Sequence, residues 1–211
     1  MDRMDFESLI FDIDGTLWDS REVIARGYNA QLTEEGLERF FVDAEILKTV
    51  FGKTDPEIAD IVFAELPPAE RYALLARCMK RENQILHNEA DASISYPGVK
   101  QTLEQLAKNH RLFIVSNSQK GYPEICVEKL GLKKIISGHL CYGDTLTCKG
   151  ETIKKLMADH NITSACYIGD TMGDMEASDY AGIPFVFCTY GFGSPDHYWK
   201  KVDSFEQLLE L

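Results

Sequence analysis

Short apolar runs alternate with longer amphipathic ones over most of this chain. The runs at 8–11 (SLIF), 111–115 (RLFIV), 165–168 (ACYI) and 184–188 (PFVFC) have the length and β-rich composition of buried strands, and a weaker candidate lies at 135–141. Between the later runs the spacing turns helical. Pro97 opens one helix carrying Val99, Leu103, Leu106 and Ala107, and Pro123 opens a second that ends at Leu130 before Gly131. A third carries Ile153, Leu156 and Met157, a fourth follows Asp174 and stops at Gly182, and Ser204 with Gln207 sets a capping box for a last helix in SFEQLLEL. Strands alternating with helices predict an α/β fold, a doubly wound, Rossmann-like parallel sheet covered on both faces.

From about Trp18 to Ser95 the texture is helical throughout. Asp55-Pro56 starts a helix with Ile58, Ile61, Val62 and Leu66 on one face, and another long helix runs from about Pro68 to His87. The expected division is therefore a core of residues 1–17 and 96–211 and a helical cap domain of residues 18–95, inserted directly after the first strand.

Composition narrows the partners. The 211-residue chain carries 34 acidic and 22 basic residues, a formal net charge of -12, so its field disfavours nucleic acid and anionic membrane surfaces. Its six cysteines form no CxxC pair and read as buried thiols in a reducing, cytoplasmic setting. The opening MDRMDFES has no apolar signal core, and no apolar run is long enough to cross a bilayer. His87, His110, His139, His160 and His197 show no metal-ligand spacing and read as surface residues.

In an open parallel sheet, ligands bind beyond the carboxyl ends of the strands, so the residue that follows each run is the informative one. Asp12 and Asp14 follow the first, Ser116 and Asn117 the second, and Gly169, Asp170 and then Asp174 the third. Carboxylates converging from separate strands describe an oxygen-ligand site for a hard cation such as Mg²⁺, held by Asp12, Asp170 and a backbone carbonyl. A carboxylate approaches a phosphate dianion only when a cation cancels the repulsion between them. One aspartate of the Asp12/Asp14 pair then serves as nucleophile and the other as acid and base. Alone, Ser116-Asn117 would read as a turn, and GDTMGD as a helix cap.

FDIDGTL resembles the DxDGT signature of the haloacid dehalogenase superfamily in its phosphatase branch, and the later pieces come in that family's order. The resemblance implies an aspartyl phosphate on Asp12, with Asp14 protonating the leaving oxygen and then activating water. It implies phosphate contacts from Ser116 in IVSNS, helped by Asn117, and metal binding by Asp170 and Asp174 of IGDTMGD, with Asp14 adding its backbone carbonyl. Lys149 in TCKGET matches the charge-balancing lysine, although Gly150 and Glu151 stand where many relatives have prolines, which leaves Lys154 and Lys155 as alternatives. The insertion matches the family's C1 helical cap, where Lys53 is a candidate substrate contact or a solvated lysine. YPGVKQTLEQL resembles the family's return from the cap, and TYGFGS followed by SFEQLLEL resembles the end of phosphoglycolate phosphatase relatives, with TYGFGS expected as a flexible loop beside the site.

These readings imply an Mg²⁺-dependent phosphatase acting on a small-molecule phosphate ester, a monomer or weak homodimer. The alternatives are a phosphomutase of the β-phosphoglucomutase type, a receiver-like phosphoacceptor signalling module, and a catalytically idle binding protein. Asp14 argues against dehalogenase and phosphonatase chemistry, and DxDGT against a receiver.

Overall fold

The computed structural model describes residues 5–211, so the first four residues of the expected core lie outside the described residues. The first strand, β1 (Ser8–Phe11), is fully buried along its length. After it come four helices: α1 (Arg21–Glu34), α2 (Ala44–Val50), α3 (Asp55–Val62) and α4 (Pro68–Glu89). The chain then returns through α5 (Val99–Leu106), β2 (Arg111–Ser116), α6 (Tyr122–Lys129) and β3 (Ile136–Cys141). It finishes with α7 (Tyr142–Thr145), α8 (Lys149–Asp159), β4 (Ala165–Gly169), α9 (Met172–Ala181), β5 (Phe185–Cys188) and β6 (Lys200–Val202).

The six strands pair in the order β3-β2-β1-β4-β5-β6, every pairing parallel. β1 therefore lies at the middle of the sheet, with β2 on one side and β4 on the other, and the strand order reverses beside it. Two apolar layers cover the faces. One gathers Leu9, Phe11, Ile114 and Ile168 with the helical insertion, and the other gathers Ile10, Phe113, Tyr167, Ile153 and Leu156. This alternation along β1 is the period-2 pattern of a strand buried on both sides.

Trp18 bridges Ser95 in antiparallel fashion, so the helical segment leaves and rejoins the sheet at adjacent points. Within it α1 packs lengthwise on α4, and Gly27 makes the close approach feasible: a Cβ there would stand 2.9 Å from the Glu82 Cα. α3 ends at Val62, short of Leu66, which precedes Pro67 and is itself steered away from helical geometry. Its Ile61 is 48% exposed, so that part of the helical pattern buries nothing.

Several local expectations need correction. α9 begins at Met172 with Thr171 as its cap, so Asp174 sits inside the first turn rather than ahead of the helix. The C-terminal segment forms a 3-10 helix over Phe205–Glu210, and the Gln207 side-chain Oε1 accepts from the Asp203 N–H instead of closing a box with Ser204. His110, His139 and His160 are half-buried rather than on the surface; His110 Nδ1 lies 2.6 Å from the Phe6 carbonyl, and His160 packs on Phe113. Five cysteines are buried and all six are free, with Cys148 the exposed one. No helix among the described residues is long and apolar enough to cross a membrane.

Candidate active site

The carboxyl ends of β1, β2 and β4 deliver their polar residues to one edge of the sheet. Asp12 follows β1, Ser116 ends β2 and Asp170 follows β4; all three are buried. Oxygens of Asp12, Asp170 and Asp174 lie within 4.8 Å of one another. Such crowding raises the energy of the ionised forms. Burial, then the Asp174 and Asp14 charges, push the Asp12 carboxyl up to about 7 against the opposing pull of Lys149. Asp170 is raised too, first by burial and then by Asp174 and Asp12.

Lys149 is the built-in counter-charge. It opens α8, where a cation is disfavoured by the helix dipole, and it is only 4% exposed. Its Nζ donates to Asp12 Oδ1 at 2.9 Å and to Asp174 Oδ1 at 2.6 Å. Of the three candidate lysines only Lys149 reaches the carboxylates: Lys154 lies over the Tyr180 ring and Lys155 pairs with Asp159 at the surface. Burial opposes the charge on Asp174, but Lys149 and the Thr171 donors outweigh it and hold that carboxyl below its ordinary value.

The turn after β4 serves two purposes at once. Asp174 Oδ2 accepts from the Asp170 and Thr171 N–H groups at 3.1 and 2.9 Å and from Thr171 Oγ1, while Thr171 Oγ1 accepts from the Asp174 N–H. This capping box fixes the helix start and, with it, the Asp174 oxygen that faces Lys149. Asp170 Oδ2 accepts from the Phe192 N–H at 2.6 Å, whereas Asp170 Oδ1 is buried with no hydrogen-bond partner. A buried carboxylate oxygen left unpaired calls for a cation. Gly15, at φ +83°, leaves room for it: a Cβ there would collide with the Asp170 carboxyl. Hard oxygen donors, an orphaned oxygen and a clear approach fit Mg²⁺.

Asp14 occupies a different environment although it is two residues from Asp12. Its Oδ1 accepts from Trp18 Nε1 at 2.9 Å, from Tyr122 OH at 2.6 Å and from Ser20 Oγ. Burial raises this carboxyl to about 6, and the Ser20, Tyr122 and Trp18 donors restrain the rise. Both aspartates line one cavity, closed from above by Tyr28, Phe51, Met79 and Glu82 of the helical insertion.

Ser116, Asn117, Lys149 and Lys53 line the same cavity. Ser116 Oγ accepts from the Ser118 N–H at 3.2 Å, which orients the hydroxyl. Asn117 Nδ2 instead donates to the Gly52 carbonyl at 2.7 Å, tying the sheet edge to the insertion, so its side-chain amide is not aimed at a phosphate. Lys53 is half-buried at the rim rather than fully solvated.

The sequence reading missed the Asp14 clasp (Trp18, Ser20, Tyr122) and the cavity acids Asp55 and Glu82. TYGFGS is a loop beside the site, as expected, and there Gly191 and Gly193 pack against Asp170 and the Phe192 ring lies 5.5 Å from that of Phe51. The period of its glycines was the available signal, since each places backbone where a side chain would not fit.

The family described as haloacid dehalogenase-like hydrolase matches residues 9–188. A phosphoglycolate phosphatase of Xanthomonas campestris pv. campestris (strain 8004) is 30% identical over 191 residues, covering 88% of this chain and 84% of the relative. The pyrophosphatase PpaX of Listeria innocua serovar 6a is 28% identical over 197 residues, covering 90% and 86%. Among solved structures, a predicted phosphoglycolate phosphatase from Haemophilus somnus 129pt has a TM-score of 0.81 at 23% identity, with 99% of both chains covered. The match along most of the chain, together with the shared fold and the carboxylate-lysine edge, places this protein in the haloacid dehalogenase-like hydrolases.

Proposed function

We propose that the protein hydrolyses a small phosphomonoester in two transfers centred on Asp12. The observation that carries this reading is the split environment of the aspartate pair. Asp12 lies in the carboxylate cluster against Lys149, while Asp14 is clasped by neutral donors and raised to about 6. Two carboxyls pushed into different environments divide into nucleophile and acid-base.

In the first transfer an Asp12 oxygen attacks phosphorus, the bond from phosphorus to the leaving oxygen breaks, and protonated Asp14 gives its proton to that oxygen. In the second, ionised Asp14 takes a proton from water as the water attacks phosphorus; the Asp12–phosphorus bond breaks, releasing phosphate and restoring both groups. Lys149 and the Ser116 hydroxyl hold the phosphoryl oxygens. Mg²⁺, held by the Asp12 and Asp170 carboxylates and the Asp14 carbonyl, would cancel the repulsion between Asp12 and the incoming phosphate. Both oxygens of Asp174 already accept from protein donors, which suits it to orient Lys149 and the Asp170 turn.

Residues 18–95 act in this reading as a cap domain over the rest, and its helices keep bulk water from the first transfer. A receiver-type signalling module would need no such insertion. The curated relatives named for phosphoglycolate and pyrophosphate hydrolysis support the reaction class. A phosphate-release screen across small esters with Mg²⁺ tests it. Turnover that Asp12→Asn abolishes, with the fold intact, is the expected result; turnover surviving in that variant overturns the reading.

A further inference from the structure

The cavity wall that belongs to the helical insertion is mostly apolar, with Ile24, Leu47, Val50 and Met79 among its residues. Tyr28 of α1 stands in the same wall, and the proposed chemistry does not use it. Packing sets its position. The neighbouring Gly27 brings α1 so close to α4 that a Cβ there would stand 2.9 Å from the Glu82 Cα.

Tyr28 is only 2% exposed, and no described residue hydrogen-bonds its hydroxyl. That oxygen is nevertheless not sealed from solvent, unlike the orphaned Oδ1 of Asp55. The little surface Tyr28 keeps therefore includes the hydroxyl, and the cavity it lines is where that surface opens. A tyrosine this deeply buried ordinarily finds a protein partner for its O–H. Burial first, then the nearby Glu82, Cys78 and Asp55, hold the phenol well above its ordinary value, so it stays neutral and keeps its proton to donate. The other polar groups of this wall are placed differently: Glu82 Oε1 accepts from Gln119 Nε2 at 2.9 Å, and Lys53 stands at the rim.

In the phosphatase reading, on which this inference rests, Lys149, Ser116 and Asp14 at the sheet edge serve the phosphoryl group and the bridging oxygen. The opposite wall then meets what lies beyond that oxygen. We propose that Tyr28 is a specificity-determining residue, its hydroxyl donating a hydrogen bond to a hydroxyl or carboxylate oxygen on the leaving group of the ester. Solvent serves the hydroxyl in the free protein. A ligand oxygen that displaces this solvent restores the bond, whereas an alkyl group that displaces it leaves the donor unpaired.

The test measures kcat/KM for two matched pairs, glycerol phosphate against propyl phosphate and 2-phosphoglycolate against ethyl phosphate, with p-nitrophenyl phosphate as the reference ester. Tyr28→Phe removes only the hydroxyl. It should lower the ratio of oxygen-bearing to plain ester about fivefold or more in at least one pair, the scale of one hydrogen bond, and the pair that moves identifies the oxygen. Ratios unmoved in both pairs overturn the inference, because a hydroxyl that only shapes the cavity would weaken both members alike. A second readout needs no substrate. With no protein partner to lose, Tyr28→Phe should melt no lower than the wild-type protein; a lower melting temperature, or failure to fold, marks a hydroxyl that holds the structure and overturns the inference as well. Absence of turnover of every ester, p-nitrophenyl phosphate included, sinks the phosphatase reading and this inference with it, whereas turnover with unmoved ratios sinks this inference alone.

Discussion

The edge of the sheet and the helical layer above it meet across one small cavity, yet they are built on opposite rules. At the sheet edge, ionisable groups are packed against each other and compensated: Lys149 bridges Asp12 and Asp174, and Asp174 is saturated with donors. In the helical layer, polar groups are sparse among Ile24, Leu47, Val50 and Met79, and Asp55 and Glu82 have no lysine bound to them in the cavity's interior. The edge has the dense, preorganised charge that bond-making requires. The layer above is a largely apolar surface with few ionisable groups, the kind that keeps water away from a reacting centre.

The sharpest way to break this comparison is at the edge. Asp12→Asn should lower kcat/KM by on the order of 10⁴-fold or more, the scale for loss of a nucleophile, while circular dichroism shows an intact fold. Asp14→Asn should cost about 10² to 10⁴-fold, the range for an acid-base group. Retention of wild-type rates in either would erase the distinction between the two aspartates.

Lys149→Met should reduce both turnover and stability. It leaves Asp12 and Asp174 buried without their counter-charge, a loss of about 3–5 kcal/mol by the general cost of breaking a buried pair. Denaturant melts of the metal-free protein read that number directly, and an unchanged midpoint would show that the lysine compensates nothing.

The pH dependence of stability follows from the raised acids. Asp12 at about 7 and Glu82 at about 8 hold protons in the native state that the unfolded chain has released by then. The native state thus binds more protons, and stability falls as pH rises from about 5 to 8. Metal-free protein should melt several degrees higher at pH 6 than at pH 8, and Mg²⁺ should raise the melting temperature more at pH 8, where the cluster is ionised. A flat profile, or a metal effect independent of pH, would contradict the electrostatic account of the edge. Chelation should abolish turnover and Mg²⁺ should restore it.

Smaller effects belong to the contacts that join the two regions. Tyr122→Phe removes one of three donors to the Asp14 carboxylate, a change of roughly tenfold in rate by the worth of a hydrogen bond to a charged group. Because that donor favours the ionised form, the Asp14 pKa should rise above about 6, and the alkaline limb of the kcat/KM profile should move upward. Asn117→Ala cuts the tie to the Gly52 carbonyl and should raise KM severalfold with little change in kcat.

The same contrast explains what could be read from sequence. Asp12, Ser116 and Asp170 are legible because each polar residue ends or follows an apolar run and the sheet carries all three to one edge, whereas Lys149, at the start of α8, is marked only by the family resemblance. β6 escaped because it is three residues long, begins Lys-Lys, and lies at the sheet margin where charge is favoured. β3, also marginal and interrupted by Gly138, gave only a weak signal. The Asp14 clasp escaped for another reason. Tyr122 reaches Asp14 across 108 positions, and no local pattern marks a tyrosine as a hydrogen-bond donor to a distant carboxylate. Glu82 looks like any polar residue of a long helix until Gly27 and Gln119 are seen to bury it.

The most direct measurement traps the covalent species. The protein is mixed with substrate and Mg²⁺, quenched in acid within the first turnover, reduced with borohydride and digested for peptide mass spectrometry. An acyl phosphate on Asp12 is reduced to homoserine at that position, and Asp14, Asp170 and Asp174 remain aspartate. Rapid turnover with no homoserine at residue 12, or with homoserine at one of the other aspartates, would contradict the assignment of Asp12 as the group that carries the phosphoryl.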